Sequence, residues 1–339
     1  MESPARLPRM SQLLSRVAET PLTQELAATL KAAGDPLRLE ILRLLARDSF
    51  GVMELSRIFA IKQSSMSHHL KVMATAGLVA TRREGNSIFY RRQLPAADDP
   101  LYALQNSLCI ALDTQPLPQE VQVRLSDIQR ERASASQAFF ADNATKFRQQ
   151  QELIASFSAY ADGVAEMLKQ TTFAERIKAL EVGPGEGEFL ATLSQQFKQV
   201  IALDNSKSML NKARRTAQTE QLDNIEFIHG DTTYAVEQGC QVDCAVINMV
   251  LHHVPSPAQI FDDVSHLLKS GGCLLVADLC HHDQQWAKEA CGDVWLGFEP
   301  DDFSHWAQQA GLQTGQSQYI ALRNGFQIQV RQFFKPHKG

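Results

Sequence analysis

The sequence has few cysteines, these form no recognisable pattern, and there is no long apolar run. Its six cysteines are scattered over 339 residues without the spacing of a disulfide framework or a zinc knuckle, and we interpret most of them as reduced, partly buried side chains. No apolar stretch approaches the roughly 20 residues of a membrane-spanning helix. The first residues, MESPARLPRM, lack the apolar core of an export signal. These absences predict a cytoplasmic chain without a membrane partner.

Positive charge is also scarce, except in one short region. The formal net charge of the chain is −5, which would repel the phosphates of nucleic acid. Residues 55–94, however, hold seven basic residues and one acidic residue, a local charge of +6 that leaves −11 for the rest of the chain. This region is therefore the candidate for nucleic-acid binding.

The patterning along the chain predicts two domains and a helical connector. Residues 20–97 show four helical segments followed by a hairpin signal at Glu84-Gly85-Asn86, an order typical of a winged helix-turn-helix. Residues 98–172 carry no strand signal and predict amphipathic helices that connect the domains and offer a dimer surface. Residues 173–339 alternate apolar strands with helices, which predicts a mostly parallel α/β sheet that ends in an antiparallel hairpin at Asn324-Gly325.

A helix start rich in small polar side chains lies inside the basic region. Residues 63–72, QSSMSHHLKV, place hydrogen-bonding groups where a recognition helix meets base edges and phosphates, while Met66, Leu70 and Met73 can anchor the opposite face. Together with LKAAGDPLRLEILRLL before it and AGLVATRREGNSIFYRR after it, this stretch resembles the winged helix-turn-helix of the ArsR/SmtB family of bacterial regulators. The resemblance covers about residues 24–93.

The resemblance implies double-stranded DNA as a partner. The groove-facing side chains that it implies are Gln63, Ser64, Ser65, Ser67 and His68, and the wing contacts to phosphate or minor groove are Arg82, Arg83 and Arg91. It also implies a homodimer on a palindromic operator, because twofold protein symmetry needs two half-sites. The alternatives are a solvated face on a protein-binding winged helix, and burial of both His68 and His69.

The cysteine pair with which many members of that family sense metals is missing. Gly51 and Met53 stand where the thiolates would be required. Soft metals and arsenite need thiolate ligands, so another ligand must carry any signal. We expect no metal site; His281, His282 and Asp283 are the alternative, but adjacent histidines point in different directions on most backbones.

The second half of the chain opens with a strand, a glycine-rich turn and a helix. In LEVGPGEGE, residues 180–188, the glycines allow the backbone to approach a ligand, and the acid at the strand end can bond it. Asp204 ends the next strand nineteen residues after Gly185, where a carboxylate can pair with two ribose hydroxyls. The last glycine of the dinucleotide fingerprint is replaced by Glu188, and a carboxylate is unfavourable beside a pyrophosphate. We therefore disfavour NAD.

This pattern resembles motif I of the class I S-adenosylmethionine-dependent methyltransferases, over roughly residues 150–335, with a Rossmann-like sheet and a reversed last strand. The resemblance implies S-adenosylmethionine or S-adenosylhomocysteine as the ligand. It implies that Asp204 binds ribose, that Asn205 or Met209 lies beside adenine and that Asp231 accepts the adenine amino group. The full set of implied cofactor-binding residues is Glu181, Gly183, Gly185, Asp204, Asn205, Met209, Asp231, Thr232 and Asn248.

No catalytic residue can be assigned from the sequence. Alignment alone can supply most of the rate of methyl transfer to a nucleophilic acceptor, so the lack of an obvious base decides nothing. His253, His282, Asp283 and Trp295 form a candidate acceptor pocket, with a lid or domain packing as alternatives. His253 and its neighbour His252 either pack against the ligand or cap the fourth strand.

Two functions remain open. In the first, the chain is a transcriptional regulator, a repressor, whose methyltransferase-like domain binds the nucleoside as an effector and which controls methionine-cycle genes. In the second, it is an active small-molecule methyltransferase with an autoregulatory DNA-binding domain. Arsenite methylation is disfavoured because it needs convergent thiols, whereas Cys244 and Cys273 lie in predicted buried strands. A protein-interaction module that has lost both activities is disfavoured too.

Overall fold

The computed structural model describes residues 21–84, 87–93, 98–143 and 147–337. The tip of the predicted wing, Gly85-Asn86, lies outside the described residues. The chain divides into two compact units, one that runs to Arg82 and resumes from Ile88 to Gln122, and one that contains the chain from Val123 onward. None of the helices in the described ranges is long and apolar enough to cross a membrane.

The first unit packs helices against a small sheet. Its strands follow the order β1-β3-β2, and the short β1, which pairs antiparallel with β3, was not predicted. The predicted order of four helices and a hairpin is confirmed. The elements are α1 (Pro21–Ala33), α2 (Pro36–Leu44), β1 (Phe50–Gly51), α3 (Val52–Ile58), α4 (Gln63–Thr75), β2 (Val79–Glu84), β3 (Ser87–Arg92) and α5 (Tyr102–Asp113).

Helix α2 begins where the sequence places its capping signal. Asp35 has an extended backbone, its carboxylate accepts a hydrogen bond from the Arg38 N–H at 2.9 Å, and Pro36 follows in the first turn. This hydrogen bond lowers the pKa of Asp35. A local signal of two residues therefore determines the start of the helix.

A buried arginine joins the wing to α5. The Arg92 side chain is 4% exposed, and its two terminal nitrogens donate to both carboxylate oxygens of Asp113 at 2.7 Å. This bidentate pairing neutralises one of the seven basic residues counted in the basic region. Arg92 is therefore a structural residue of the first unit.

The second unit contains most of α6 and a sheet covered by helices. The helix predicted after the glycine-rich turn starts at Leu190, and α11, α13 and α14 were not predicted. The elements are α6 (Gln119–Asn143), α7 (Phe147–Ile154), α8 (Phe157–Gln170), β4 (Lys178–Val182), α9 (Leu190–Gln196), β5 (Gln199–Asp204), α10 (Lys207–Thr219), β6 (Ile225–His229), α11 (Thr232–Glu237), β7 (Val242–Asn248), α12 (Pro257–Leu267), β8 (Leu268–Leu279), α13 (Trp286–Cys291), α14 (Pro300–Gln309), β9 (Gln313–Ala321) and β10 (Gln327–Phe334).

The seven strands follow the order β6-β5-β4-β7-β8-β10-β9. The neighbours from β6 to β8 are parallel, and β10 runs antiparallel to both β8 and β9, which confirms the predicted reversed strand. Strand β4 has β5 on one side and β7 on the other, so the connections leave its carboxyl end in opposite directions. Such a switch point opens a crevice in which ligands bind.

The sheet interior is apolar, as the strand patterns predict. All seven residues of β7 are buried, and burial raises the pKa of the Cys244 thiol well above its usual range. The pair Gly271-Gly272, a sequence typical of a turn, lies within β8, where the pairing with β7 shifts register between Val242 and Cys244. At this irregularity β8 has more residues than the β7 segment opposite it. The strand therefore continues through the two glycines.

Replacing Asp113 by Asn should destabilise the first unit, because the buried guanidinium of Arg92 loses its ionic partner. We expect the free energy of unfolding to fall by about 2 kcal/mol, less than for a fully buried pair because Asp113 is partly exposed. The urea dependence of hydrogen exchange at the Ile41 amide measures the free energy of unfolding of this unit. Asp98→Asn, at an exposed carboxylate of the same unit, should cost less than about 0.5 kcal/mol; equal losses in both variants would contradict this account.

Candidate functional site

A cavity of about 450 Å³ lies in the second unit, among the residues that follow β4, β5 and β7. This volume is within the range of small-molecule sites, roughly 300–1,000 Å³. The structure brings all nine predicted cofactor-binding residues to its wall. They are Glu181, Gly183, Gly185, Asp204, Asn205, Met209, Asp231, Thr232 and Asn248.

The glycine-rich turn between β4 and α9 needs glycine for two different reasons. Gly183 has a φ of +66°, and a Cβ there would lie 2.6 Å from a Cγ atom of Val250. Gly185 has a φ of +57°, which residues with a side chain rarely adopt, and apart from its chain neighbours no atom of the described residues lies within 4 Å of the place where its Cβ would stand. Packing therefore excludes a side chain at Gly183, whereas at Gly185 the backbone leaves open space beside the cavity.

Glu181, at the end of β4, is buried with one oxygen unused. Its side chain is 2% exposed, and Oε2 makes no hydrogen bond within the described part of the chain. Burial raises the pKa of Glu181 to about 8, although the nearby Asn248 amide opposes the rise. Neither amide atom of Asn248 makes a hydrogen bond of good geometry among the described residues. Because buried polar atoms are normally satisfied, these three atoms point to a polar ligand.

The second acidic side chain of the cavity, Asp204, is partly satisfied. Its Oδ1 accepts a hydrogen bond from the Ser206 N–H at 2.7 Å. Burial raises the pKa of Asp204 to about 6, while the Ser206 N–H and the charge of His229 oppose the rise. The carboxylate is therefore ionised at pH 7 and able to accept donors from a ligand.

The loop after β6 uses its two predicted ligand residues to hold its own structure. Asp231 caps α11, since its Oδ1 accepts from the Tyr234 N–H at 2.8 Å. The Thr232 hydroxyl donates to the Asp263 carboxylate at 2.6 Å. Both residues line the cavity, but each has one polar group engaged by the protein.

The cavity wall is strongly acidic. Among the described lining residues six are acidic and none is lysine or arginine. One of the acids, Glu186, is paired with Lys212 at 2.8 Å. Excess carboxylate favours a cationic ligand and disfavours a pyrophosphate, which agrees with the inference drawn from Glu188.

Beside the cavity, a 3-10 turn after β7 carries two buried histidines. The His252 Nδ1 lies 2.6 Å from the Asp278 Oδ1, and the two histidine ring centres are 4.0 Å apart. Burial alone lowers the pKa of His252, but the carboxylates of Asp278 and Asp293 outweigh it and raise the pKa to about 9. Burial and the charge of His252 hold the pKa of His253 well below 6.5. His253 is therefore neutral at pH 7.

Of the four candidate acceptor residues, the structure brings only His253 to the described wall of this cavity. Trp295 is buried elsewhere, where its indole N–H donates to the Val254 carbonyl at 2.8 Å. His282 packs edge-on against Phe326, 4.6 Å between ring centres, and Asp283 is exposed. These three side chains therefore do not line the cavity.

The part of the cavity wall that α8 forms was not predicted from the sequence. Phe157 and Tyr160 line the cavity beside Phe189. The helical spacing of the aromatic pair was the only signal available, and it indicates burial without identifying the surface against which the rings pack.

The predicted DNA-facing side chains lie on the solvent side of α4. Met66, Leu70 and Met73 are fully buried on the opposite side. On the wing Arg83 is exposed, whereas Arg82 and Arg91 are half-buried. The exposed side chains of α4 include Gln63, Ser64, Ser65, Ser67 and His68. The alternative in which both histidines are buried is therefore wrong for His68.

Replacing Glu181 by Gln should stabilise the ligand-free protein at high pH. The pKa of Glu181 is about 8 in the fold against 4.5 for an ordinary glutamate, so the free energy of unfolding falls as pH rises from about 4.5 towards about 8. The variant lacks this loss, and its Tm should exceed that of the wild type by about 4 °C or more at about pH 8. The gain should shrink towards pH 5.

Thermal unfolding over this pH range measures the difference. Glu166→Gln, at an exposed glutamate of α8, is the matched control and should follow the wild type. A Tm difference between Glu181→Gln and the wild type that is the same at both ends of the pH range would contradict the assignment of a buried, destabilised carboxylate.

Comparison with known proteins yields matches for both halves of the chain. The sequence model of the family described as bacterial regulatory protein, arsR family, matches residues 35–81, and that of a methyltransferase domain matches residues 174–311. The chain is 39% identical over 85 residues to the Biofilm growth-associated repressor of Agrobacterium fabrum, which covers 25% of this chain and 73% of that protein. It is 27% identical over 149 residues to the Ubiquinone biosynthesis O-methyltransferase of Acinetobacter baylyi, which covers 40% of this chain and 63% of that protein.

A solved structure has a similar fold. The magnesium protoporphyrin IX methyltransferase of Synechocystis PCC 6803 with bound SAH aligns with a TM-score of 0.51 at 15% identity, covering 60% of this chain and 99% of that one. The chain spans from 29% to 63% of the length of three of the relatives that it matches. The match to the repressor nevertheless covers most of that protein. The chain thus belongs to the arsR family of bacterial regulatory proteins, and a domain of the class I methyltransferase fold follows its winged helix-turn-helix.

Proposed function

We propose that the chain is a DNA-binding transcriptional repressor whose methyltransferase domain binds S-adenosylmethionine or S-adenosylhomocysteine as an effector. The observation that carries the proposal is the acidic cavity, in which the nine predicted residues meet and Glu181 and Asn248 leave buried polar atoms for a ligand. Control of methionine-cycle genes in the cytoplasm is the physiological setting that this ligand suggests.

The residues present fit the nucleoside. Glu181 and Asn248 would bind the ammonium and carboxylate of the amino-acid part, because together they offer an acceptor and a donor. Asp204 would accept from the ribose hydroxyls, and Met209 would pack against the adenine. The acidic wall suits the cationic sulfonium of S-adenosylmethionine. When bound, S-adenosylmethionine supplies an electrophilic methyl group.

The winged helix-turn-helix supports DNA as the partner. Its α4 exposes polar side chains at one end while it buries three apolar ones, the arrangement of a helix that enters the major groove. A homodimer on a palindromic operator follows from the family resemblance. Two repressors, the biofilm protein above and an Arsenical resistance operon repressor of Staphylococcus xylosus, are among the relatives, and they support repression as the direction of control.

Regulation by the nucleoside requires thermodynamic coupling. A ligand shifts the equilibrium between DNA-competent and DNA-incompetent states only if it binds them with different affinity. Because Gly51 and Met53 replace the thiolates of the metal-sensing members, the cavity of the second unit is the site proposed for the signal.

A second function is supported by His253. This side chain lines the cavity and is neutral at pH 7, so it offers a methyl acceptor a hydrogen-bonding partner, although burial makes it a weak base. The chain would then be a small-molecule methyltransferase that also regulates its own operon.

DNA binding and turnover distinguish the two functions. Fluorescence anisotropy with a DNA site selected from a random pool by the full-length protein gives the affinity without ligand, with S-adenosylmethionine and with S-adenosylhomocysteine. We expect at least one nucleoside to change it about 5-fold or more. If neither changes it while cell extract supports methyl transfer from S-adenosylmethionine, the effector proposal is wrong and the enzyme proposal stands.

Asp204→Asn should separate the two binding activities. Loss of the carboxylate removes an ionised acceptor for the ribose hydroxyls, so both nucleosides should bind at least about 10-fold more weakly in equilibrium dialysis. Ligand-free DNA binding should be unchanged. Asp223→Asn, an exposed aspartate outside the cavity wall, should retain wild-type affinity. Loss of DNA binding and of nucleoside binding together would mean that Asp204 is a structural residue.

Ser67→Glu should weaken DNA binding because it adds a negative charge to the exposed side of α4. We expect a loss of at least about 10-fold. Thr75→Glu adds the same charge at an exposed position about 12 Å farther along the same helix, beyond the Debye length of about 8 Å at physiological ionic strength. Anisotropy should show little change for this control. Equal losses for both variants would indicate a general charge effect rather than contact by the start of the helix.

A further inference from the structure

Two imidazoles and a carboxylate lie close together beside the cavity. His252 and His253 are in the turn after β7, and Asp293 follows α13. One ligand atom from each lies within 4.8 Å of those of the other two, and all three residues are buried. The Asp293 Oδ1 is 3.9 Å from the His252 Nε2 and 3.6 Å from the His253 Nδ1. Ligand atoms around a tetrahedral ion with bonds of about 2.0–2.1 Å are roughly 3.3 Å apart, so an ion would draw these atoms closer together and displace the proton that the neighbouring carboxylates stabilise on His252.

His252 is held in the orientation that a metal-binding histidine needs. Its Nδ1 is hydrogen-bonded to the Asp278 Oδ1, and Asp278 also accepts from the backbone N–H groups of Leu251 and Leu279, both at 2.8 Å. A carboxylate on one ring nitrogen fixes the ring and makes the other nitrogen a stronger ligand. That other nitrogen, Nε2, is buried and has no hydrogen-bond partner in the described part of the chain.

The donor set selects a class of metal ion. Two imidazole nitrogens and one carboxylate oxygen suit zinc and its transition-metal neighbours, and differ from the thiolates that arsenite and soft metals require. Three protein ligands leave a coordination position open. His253 lines the cavity, so the cluster lies beside it.

We propose that His252, His253 and Asp293 bind a divalent transition-metal ion of the zinc class, and that Asp278 positions His252 for it. The ion site adjoins the nucleoside cavity but shares only His253 with its described wall. Binding of the ion requires neither DNA nor nucleoside, so it can fail without affecting the proposed function.

The test uses the full-length protein, freed of metal by chelation and titrated with Co²⁺ alone. Co²⁺ reports a tetrahedral nitrogen and oxygen site by its visible absorption, and Zn²⁺ added afterwards should displace it. We expect a single tight ion per chain, with His253→Gln and Asp293→Asn weakening binding about 100-fold or more. His266→Gln removes an exposed imidazole of α12 and should bind as the wild type does.

The thermal unfolding of each metal-free variant shows whether it is folded, and at least one of the two ligand variants must retain a cooperative transition. X-ray absorption of the Zn²⁺ form should show imidazole ligands and no sulfur. The proposal is overturned if the wild type binds no tight ion, if a folded His253→Gln or Asp293→Asn variant binds as tightly as the wild type, or if sulfur ligands appear. In those cases the cluster is an internal ion-pair network, or the ion is held by cysteines.

Discussion

The second unit depends on carboxylates buried at the carboxyl ends of its parallel strands. Asp204 is the last residue of β5, while Glu181 and Asp278 are the next-to-last residues of β4 and β8 and are almost entirely shielded from water. Burying a carboxylate costs free energy unless donors or cations compensate it. Asp278 is compensated by two backbone N–H groups and His252, whereas Glu181 keeps an unsatisfied oxygen. The Glu181 oxygen therefore leaves the cavity a buried polar atom that the described fold does not satisfy.

Of these three acids, Asp278 stabilises the fold, whereas Glu181 and Asp204 are available to a ligand. Asp278 holds the turn after β7 in place and so fixes one side of the cavity. Burial raises the pKa values of Glu181 and Asp204. The hydrogen bonds of the fold do not fully offset the free energy that burying these two carboxylates costs. In the first unit the charge of Arg92 is likewise used within the fold, by Asp113.

Much of the fold and of the cavity could be predicted from the sequence because their signals are local. Asp35-Pro36 marks a helix start, and the turn from Gly183 to Gly185 follows an apolar strand, which places its neighbours at a sheet edge. The acceptor side could not be predicted in this way. His282 and Trp295 are polar and aromatic residues near a strand end, but long-range packing against Phe326 and the Val254 carbonyl turns them away. The tight turn brings the ring centres of His252 and His253 to 4.0 Å, and no local signal predicts this pair because its carboxylate partners lie far along the chain.

The central claim is that the acidic cavity selects S-adenosylmethionine or S-adenosylhomocysteine over a dinucleotide. Isothermal titration calorimetry of the full-length protein with S-adenosylmethionine, S-adenosylhomocysteine and NAD tests it most directly. The account predicts saturable binding of at least one of the two nucleosides and no measurable binding of NAD at the same concentrations. Binding of NAD as tight as that of either nucleoside, or no binding of both nucleosides, would contradict it.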